Sequence, residues 1–332
     1  MREVVFFFLL ILFSTIFLTA CEDNEELIAY NDNNSIILID FKGQIREKIQ
    51  LPRKIKNEFN IKEDVVCYVG EDGEIYWYNW KNCNEQKLIS GPYLYKKHVD
   101  KNVTYDYGSE IYFDIDFSIE RGIIVFSISP EYLTYTYNSG NIEKHRTHGL
   151  TRIGLLDIKK KIFIKVTEEN NDYTPTIYKD KIVRTANHTI VISDMNGKNE
   201  VSLYETYRKY FNINDKWSPL RLLRIIDGTV IFFEYGHNND LDAPVIKKIC
   251  TFAFTNHKFE VLYNFQNCKN KDFLNLKYLK SISRDLRYLL NFKNGQIYLV
   301  DLKHMKKILL KEIENKKASL VFYSINHMSK GA

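Results

Sequence analysis

Near its C-terminus the chain reads Ile297-Tyr298-Leu299-Val300-Asp301, an apolar run that ends at an acidic residue. The same pattern recurs five times, with Asn or Ala at the acidic position in two copies: Ile36–Asp40, Ile75–Asn79, Ile153–Asp157, Ile190–Asp194 and Cys250–Phe254. In the five better copies an apolar residue stands nine positions after the acidic or amide residue, at Ile49, Leu88, Val166, Leu203 and Leu310. A fixed offset of this kind indicates an internal repeat.

Each repeat predicts a β-hairpin. Its first strand is apolar along its length, which is typical of a strand covered on both faces. The acidic side chain ends that strand and can accept hydrogen bonds from the turn backbone. Turns such as Asn196-Gly197 suit a hairpin, and the second strand carries Lys and Glu, as a solvated edge strand does.

Two more strand-like runs precede the hairpin in several copies: Leu220–Ile225 with Thr229–Tyr235, Leu279–Ser283 with Tyr288–Phe292, and Tyr112–Phe117 with Ile123–Ile128. Four antiparallel strands per repeat are typical of the blades of a β-propeller. The sequence therefore predicts an all-β fold of about six four-stranded blades. The long interval between Asn79 and Asp157 leaves room for a seventh blade, and another all-β repeat or a β-sandwich is the alternative fold.

The first predicted blade lacks its first strand, which would have to come before the strands at the N-terminal end of the repeats. The apolar run Ser319–Ser324 has no hairpin after it. We predict that this C-terminal strand completes the first blade and closes the ring, which leaves fewer exposed sheet edges.

Two segments resemble the Ser-Pro-Asp-Gly turn of TolB-like propellers. One is Ser283-Arg284-Asp285, within Ile282–Tyr288, and the other is Trp217-Ser218-Pro219; neither contains the whole motif. The resemblance covers most of the predicted propeller domain, residues 27–326. It implies a six-bladed propeller.

The N-terminus predicts export. Arg2 precedes an uncharged apolar run from Val4 to Leu18, which is typical of a secretory signal. The run ends in Leu18-Thr19-Ala20-Cys21, which resembles a bacterial lipobox. An uncleaved membrane anchor is the alternative, although the run is short for a span of about 20 residues.

The lipobox resemblance implies that residues 1–20 are a signal peptide and that Cys21 is lipidated. Residues 21–26 would then tether the domain to a membrane, since two or more acyl chains anchor a protein stably. We expect an exported, membrane-anchored lipoprotein on the periplasmic side of the outer membrane or on the cell surface. The sequence does not determine whether the anchor lies in the inner or the outer membrane.

Composition and charge indicate a large folded core and argue against a nucleic-acid partner. The 332 residues are 45% hydrophobic and 14% aromatic, enough for a large core. The net charge of +5 is spread along the chain without a block of like charges, so no nucleic-acid partner is predicted.

Four cysteines besides Cys21 permit disulfides in an exported chain: Cys67, Cys83, Cys250 and Cys268. Three pairings are possible, of which the local pairs Cys67–Cys83 and Cys250–Cys268 are one, and free buried thiols are the alternative to disulfides. The sequence does not choose between them.

No cofactor or metal is predicted. The chain has no Gly-x-Ser-x-Gly elbow, no Walker loop and no dinucleotide fingerprint. The close pair His145 and His148 has no acidic third ligand beside it, and the segment 237–242 lacks the order of a calcium-binding loop. Asp114 and Asp116 are paired carboxylates that could serve glycoside chemistry, although a structural role is the more common one for such residues.

Four long segments between strands are the candidate ligand-binding loops, because binding residues concentrate in loops: 91–109, 129–151, 205–219 and 236–244. They are rich in Tyr, Trp and His, and aromatic side chains dominate recognition surfaces and stack on sugars. The candidate contact residues are Tyr95, His98, Tyr135, His145, His148, Trp217 and His237.

These features predict a non-catalytic envelope lipoprotein whose propeller is a scaffold for a protein or glycan partner. The alternative is a polysaccharide-active enzyme, a lyase or hydrolase, with its site on one propeller face. Convergence of the histidines within about 5 Å beside a carboxylate would favour the enzyme, because charges couple strongly at that range. A purely structural envelope protein, the third hypothesis, would have no pocket.

Overall fold

A computed structural model of the protein describes residues 26–89, 98–100, 103–138, 141–148, 150–160, 162–167, 172–213, 219–238, 243–265, 274–275 and 279–324. Within these ranges the chain forms 26 β-strands and one α-helix of eight residues. In this part of the chain, no helix has the length and apolar character needed to cross a bilayer.

The first half of the chain supplies three blades: β1 (Glu26–Asp32), β2 (Ser35–Ile39) and β3 (Ile45–Gln50) in blade 1; β4 (Ile55–Lys62), β5 (Val65–Gly70), β6 (Ile75–Asn79) and β7 (Asn84–Ile89) in blade 2; β8 (His98–Asp100), β9 (Val103–Ser118), β10 (Ile123–Asn138), β11 (Asn141–His148), β12 (Arg152–Asp157) and β13 (Ile162–Lys165) in blade 3.

The second half supplies the others: β14 (Asp172–Tyr178), β15 (Lys181–Ala186), β16 (Thr189–Asp194) and β17 (Val201–Ser202) in blade 4; helix α1 (Leu203–Tyr210); β18 (Leu220–Ile226), β19 (Thr229–Asn238), β20 (Ala243–Ala253) and β21 (Phe259–Asn264) in blade 5; β22 (Leu279–Ile282), β23 (Tyr288–Lys293), β24 (Gln296–Asp301) and β25 (Lys306–Glu312) in blade 6; and β26 (Leu320–Ser324).

The sheets confirm a six-bladed β-propeller. Five blades are four-stranded antiparallel sheets, and blade 3 is a six-stranded sheet with the same four-stranded base. The long interval between Asn79 and Asp157 belongs to this enlarged blade 3, so it holds no seventh blade.

The C-terminal strand closes the ring, as predicted. β26 pairs antiparallel with β1, with Ala29 opposite Val321, and becomes the innermost strand of blade 1. The first and last strands of the propeller therefore share one sheet.

The core is divided among the gaps between neighbouring blades. Leu27 and Ala29 pack against blade 2, whereas Ile28 and Tyr30, which alternate with them, pack against blade 6. Successive side chains of a strand point to opposite faces, so a strand between two blades must be apolar on both. This is why the repeats contain continuous apolar runs.

The acidic residue of each repeat binds the turn that follows it. Asp40 Oδ1 accepts hydrogen bonds from the backbone N–H groups of Lys42 and Gln44 at 2.8 and 2.9 Å. Asn79, Asp157, Asp194 and Asp301 accept equivalent bonds. In blade 5, where Ala253 replaces the acid, Asn256 Oδ1 accepts from the Lys258 N–H at 3.0 Å instead.

Two of the predicted loops contain regular structure. In blade 3, β9 and β10 are 16 residues long, and the second half of β10 pairs with β11 instead of β12. Much of segments 91–109 and 129–151 is therefore strand. Segment 205–219 begins in helix α1, whose Tyr207 is fully buried and donates to Glu234 Oε2 at 2.7 Å.

The local disulfide Cys67–Cys83 is absent. Cys67 and Cys250 are buried free thiols, and Cys83 is an exposed free thiol. Burial raises the pKa of the Cys250 thiol to about 11. Cys268, the predicted partner of Cys250, lies outside the described residues.

Candidate functional site

The innermost strands of the six blades line a central channel with a cavity of about 700 Å³. These strands are β26, β4, β9, β14, β18 and β22. We call the end at which they begin the upper face and the end at which they finish the lower face. A volume of this size is typical of small-molecule sites.

Five of the six innermost strands contain a register irregularity near the upper face; β26, which pairs evenly with β1, is the exception. In β9 and β14 the irregularity includes a residue with positive φ, Asp114 at 49° and Thr174 at 51°. Bulges are common next to functional sites because they redirect side chains. Here they bring polar side chains to the channel wall.

One polar side chain from each blade forms a ring, which we call the upper ring. In order around the channel its members are Ser319, Glu58, Asp114, Thr174, Arg221 and Lys280. Ser319 Oγ donates to Glu58 Oε2 at 2.9 Å, and the Thr174 N–H donates to Asp114 Oδ2 at 2.9 Å. These bonds link blade 1 to blade 2 and blade 3 to blade 4.

The two carboxyl groups of the upper ring have perturbed acidity. Burial, and secondarily the neighbouring Asp114, raises the pKa of Glu58 to about 7, although Ser319 and Lys280 oppose the shift. Burial also raises the pKa of Asp114 against the opposing effects of the Thr174 N–H and Arg221. Two carboxylates that share a cavity disfavour each other's ionisation.

The charges nearer the lower face are paired. Lys62 Nζ lies 2.5 Å from Asp116 Oδ1, and the Ile177 N–H donates to Asp116 Oδ2 at 2.8 Å. Arg224 Nη1 lies 2.7 Å from Glu26 Oε1. The contacts of Asp116 connect blade 3 to blades 2 and 4, and the Arg224–Glu26 pair connects blade 5 to blade 1. Asp116 therefore has a structural role, whereas Asp114 belongs to the upper ring.

An aromatic cluster lies beside Arg221. Its guanidinium stands 5.5 Å from the ring centroid of Tyr173, and the Tyr235 hydroxyl lies 2.7 Å from His188 Nδ1. Burial, together with Tyr173, raises the pKa of Tyr235 to about 12. His188 itself is exposed at the turn between β15 and β16.

The predicted contact residues are only partly described. Cys21, Tyr95 and Trp217 lie outside the described residues. The other five lie in strands: His98, Tyr135, His145 and His148 in blade 3, and His237 in blade 5.

The sheet of blade 3 separates two of the predicted histidines. His98 lies opposite Tyr105, and His145 lies opposite Thr134, which itself pairs with Tyr105. Their backbones are thus three strand spacings apart, roughly 14 Å. Among the described residues, no group of three or more His, Cys, Asp and Glu side chains could hold a metal ion.

Sequence reasoning missed most of the upper ring. Of its six members, only Asp114 was considered as a site residue, and Ser319 was predicted only as part of the closing strand. Glu58, Arg221 and Lys280 carry no motif, and their convergence depends on bulges that hydrophobic periodicity does not reveal. The available signal was one polar residue near the start of each innermost strand.

No protein-family model matches the chain, and no curated protein matches it. Among solved structures, a chain of a nidogen/laminin complex is similar, with 11% identity and a TM-score of 0.52 over 90% of this chain and 98% of that one. An oligogalacturonate lyase in complex with manganese has 9% identity and a TM-score of 0.47, over 87% of this chain and 74% of that one. The lyase of Vibrio parahaemolyticus has 10% identity and a TM-score of 0.44, over 86% and 79%. At such identities the likeness concerns the fold alone.

Proposed function

We propose that the protein is a non-catalytic lipoprotein of the cell envelope, anchored through Cys21, whose propeller binds a protein or glycan partner at its upper face. The observation that carries the proposal is that all four segments predicted to hold ligand contacts leave the blades at this face. Segment 205–219 precedes the innermost strand β18, and segment 91–109 runs into the innermost strand β9 and includes its first residues. Segments 129–151 and 236–244 join the second strand of a blade to its third, a connection that lies at the same end.

The chemistry of the upper face supports binding. Tyr173 and Tyr235 lie beside Arg221 of the upper ring. Tyrosine combines a rigid apolar ring with a polar hydroxyl, which suits it to protein interfaces and to stacking on sugars. The channel also provides the pocket that a purely structural protein would lack.

One observation favours a second function, that of a polysaccharide-active enzyme. A general acid or base works best when its pKa lies near the working pH, and the pKa of Glu58 is about 7. Asp114 would be the second carboxyl of such a pair. If the protein has this function, it should release shortened or unsaturated sugar products from a polysaccharide. The Glu58→Gln variant should not release them.

The binding proposal can be tested by site-specific photocrosslinking in intact cells. A benzophenone amino acid at position 188 samples the upper face, because His188 is exposed in the turn between β15 and β16. The matched control is the same amino acid at position 198, because Lys198 is exposed in a turn at the lower face, between β16 and β17. We expect a discrete crosslinked protein or glycan species from position 188 and none from position 198.

A second variant tests whether the crosslinked species contacts the candidate loop 129–151. Replacing residues 131–149 by Asn-Gly removes the outer half of β10 together with β11 and leaves β12 its partner segment Ile123–Ile128. We expect the crosslink from position 188 to weaken or disappear in this variant. Equal crosslinking from both faces, or none from position 188, would contradict the proposal.

A further inference from the structure

The upper ring separates its charges around the channel. Glu58 and Asp114 come from the adjacent blades 2 and 3, whereas Arg221 and Lys280 come from the adjacent blades 5 and 6. Thr174 of blade 4 and Ser319 of blade 1 stand between the two groups. One side of the ring therefore carries two carboxyls and the other carries two cations.

The four charged groups do not neutralise one another by direct contact. Arg221 and Lys280 act on Asp114, and Lys280 acts on Glu58, through space and without a salt bridge. Nearer the lower face the pattern is reversed, since Lys62 and Arg224 have carboxylate partners at 2.5 and 2.7 Å. Within the same channel, the protein thus pairs its charges nearer the lower face and leaves them separated in the upper ring.

Separated charges in a cavity favour a ligand that satisfies both sides. A ligand that carries only a negative charge would be attracted by the two cations but repelled by the carboxylates. A ligand that carries only a positive charge would be attracted by the carboxylates but repelled by the cations. A group with both charges can form charge-assisted hydrogen bonds to each side, and these are the stronger kind. The Ser319 hydroxyl, which donates to Glu58, can accept one further hydrogen bond, whereas Thr174 Oγ1 is already bonded to the Tyr173 carbonyl and to Thr185 Oγ1.

We infer that the upper ring binds a small zwitterion, a molecule that carries an ammonium group and a carboxylate. The ammonium group lies against Glu58 and Asp114, and the carboxylate lies against Arg221 and Lys280. The cavity of about 700 Å³ accommodates a ligand of amino-acid size. This inference goes beyond the proposed function, which concerns a larger partner on the surrounding face.

Calorimetric titration of the full-length chain in detergent tests the inference. The probes are glycine, β-alanine, γ-aminobutyrate and 6-aminohexanoate, which vary the distance between the two charges. Butyrate and butylamine are matched controls that each carry one charge. We expect saturable binding of at least one ω-amino acid, on the order of tenfold tighter than either singly charged control.

Four variants locate the site. Glu58→Gln and Lys280→Met each remove one charge from the ring, and each should weaken zwitterion binding on the order of tenfold. Glu120→Gln and Lys198→Met make the same changes in exposed turns at the lower face and should leave binding unchanged. If a ring variant fails to fold, the comparison of ω-amino acids with the singly charged controls on the unaltered protein still tests the inference.

Three results would overturn the inference: no saturable binding of any ω-amino acid, equal binding of a singly charged control, or equal weakening by the lower-face variants. The crosslinking experiment is independent of these. Crosslinks from position 188 without zwitterion binding would reject the ring site alone. Zwitterion binding without crosslinks would reject only the larger partner.

Discussion

A single carboxylate organises the hairpin turn of blade 6. Asp301 Oδ1 accepts hydrogen bonds from the backbone N–H groups of Lys303 and His304, and Oδ2 accepts from Arg287 at 2.9 Å. Burial by itself would raise the pKa of Asp301, but the bonds from Arg287 and His304 outweigh it and hold that pKa well below its usual range. The residue therefore stabilises the fold above the carboxyl's unfolded pKa of about 4, and this contribution is lost as the pH falls through the lowered value.

We expect Asp301→Ala to destabilise the protein by about 2 kcal/mol at pH 7, because several hydrogen bonds to one nearly buried carboxylate disappear together. Asp157→Ala is the matched control, since Asp157 is more exposed and its carboxylate contacts only the backbones of Lys159 and Lys160 and the Lys160 side chain. Its expected cost is clearly smaller, because solvent screens the contacts of an exposed carboxylate. Urea unfolding at pH 7 measures both values, and equal costs would contradict this account.

Local residue patterns were predictable, whereas the upper ring was not. The turn acids could be read from the sequence because donor and acceptor lie within a few residues of each other. Glu58 meets Ser319 only after the ring closes, and no local pattern links them. Asp114 shares an apolar-flanked strand with Asp116, yet the bulge gives the two carboxylates different roles.

At the scale of elements, the closing strand holds the two ends of the propeller together. β26 pairs with β1, and its side chains enter both neighbouring cores, with Leu320 and Phe322 against blade 6 and Tyr323 against blade 2. Just before the strand, the Ser319 N–H donates to Asn31 Oδ1 at 2.6 Å. Closure thus depends on packing in two gaps and on one buried polar contact.

Deleting residues 319–325 should unfold the domain or lower its melting temperature sharply. Three buried side chains at about 2 kcal/mol each contribute on the order of 6 kcal/mol, close to the total stability of many domains. Deletion of 326–332, the residues after the closing strand, is the control and should leave thermal unfolding unchanged. A melting temperature equal to that of the full chain in the 319–325 deletion would rule out a stabilising closure.

Some elements escaped sequence reasoning for identifiable reasons. Helix α1 was predicted as part of a loop, although Ser202 and Glu205 have the spacing of a helix capping box and Ser202 Oγ accepts from the Tyr204 N–H at 3.3 Å. The Tyr-rich composition of the segment obscured that pattern. The inner parts of β9 and β10 were predicted as strands, but their outer halves were assigned to the candidate loops, because they lack the apolar runs that mark strands between blades.

At the scale of the whole molecule, the propeller keeps the contacts that stabilise it apart from the face proposed to bind a partner. Its gaps hold apolar cores, its lower end holds paired charges, and its upper end holds separated charges, tyrosines and inserted strands. This separation allows the upper face to vary without loss of the ring. It also explains why the repeat could be recognised although the site could not.

Anchoring belongs to this scale as well. We expect Cys21→Ser to move the protein from the membrane fraction to the soluble fraction, because the variant lacks the thiol proposed to carry the lipid. Fractionation and intact-mass measurement check this outcome. Continued membrane retention of the variant, or an unmodified mass for the parent protein, would contradict the lipid anchor.

The position of Glu26 has a consequence for orientation. It lies opposite Ser324, at the end of β26 farthest from the upper ring. Cys21 precedes Glu26 by five positions, and a chain spans at most about 3.6 Å per residue, so the Cys21 backbone stays within about 20 Å of that end. With the proposed lipid in the bilayer, the propeller stands with its turn acids toward the headgroups, and the channel opens away from the membrane toward whatever diffuses past.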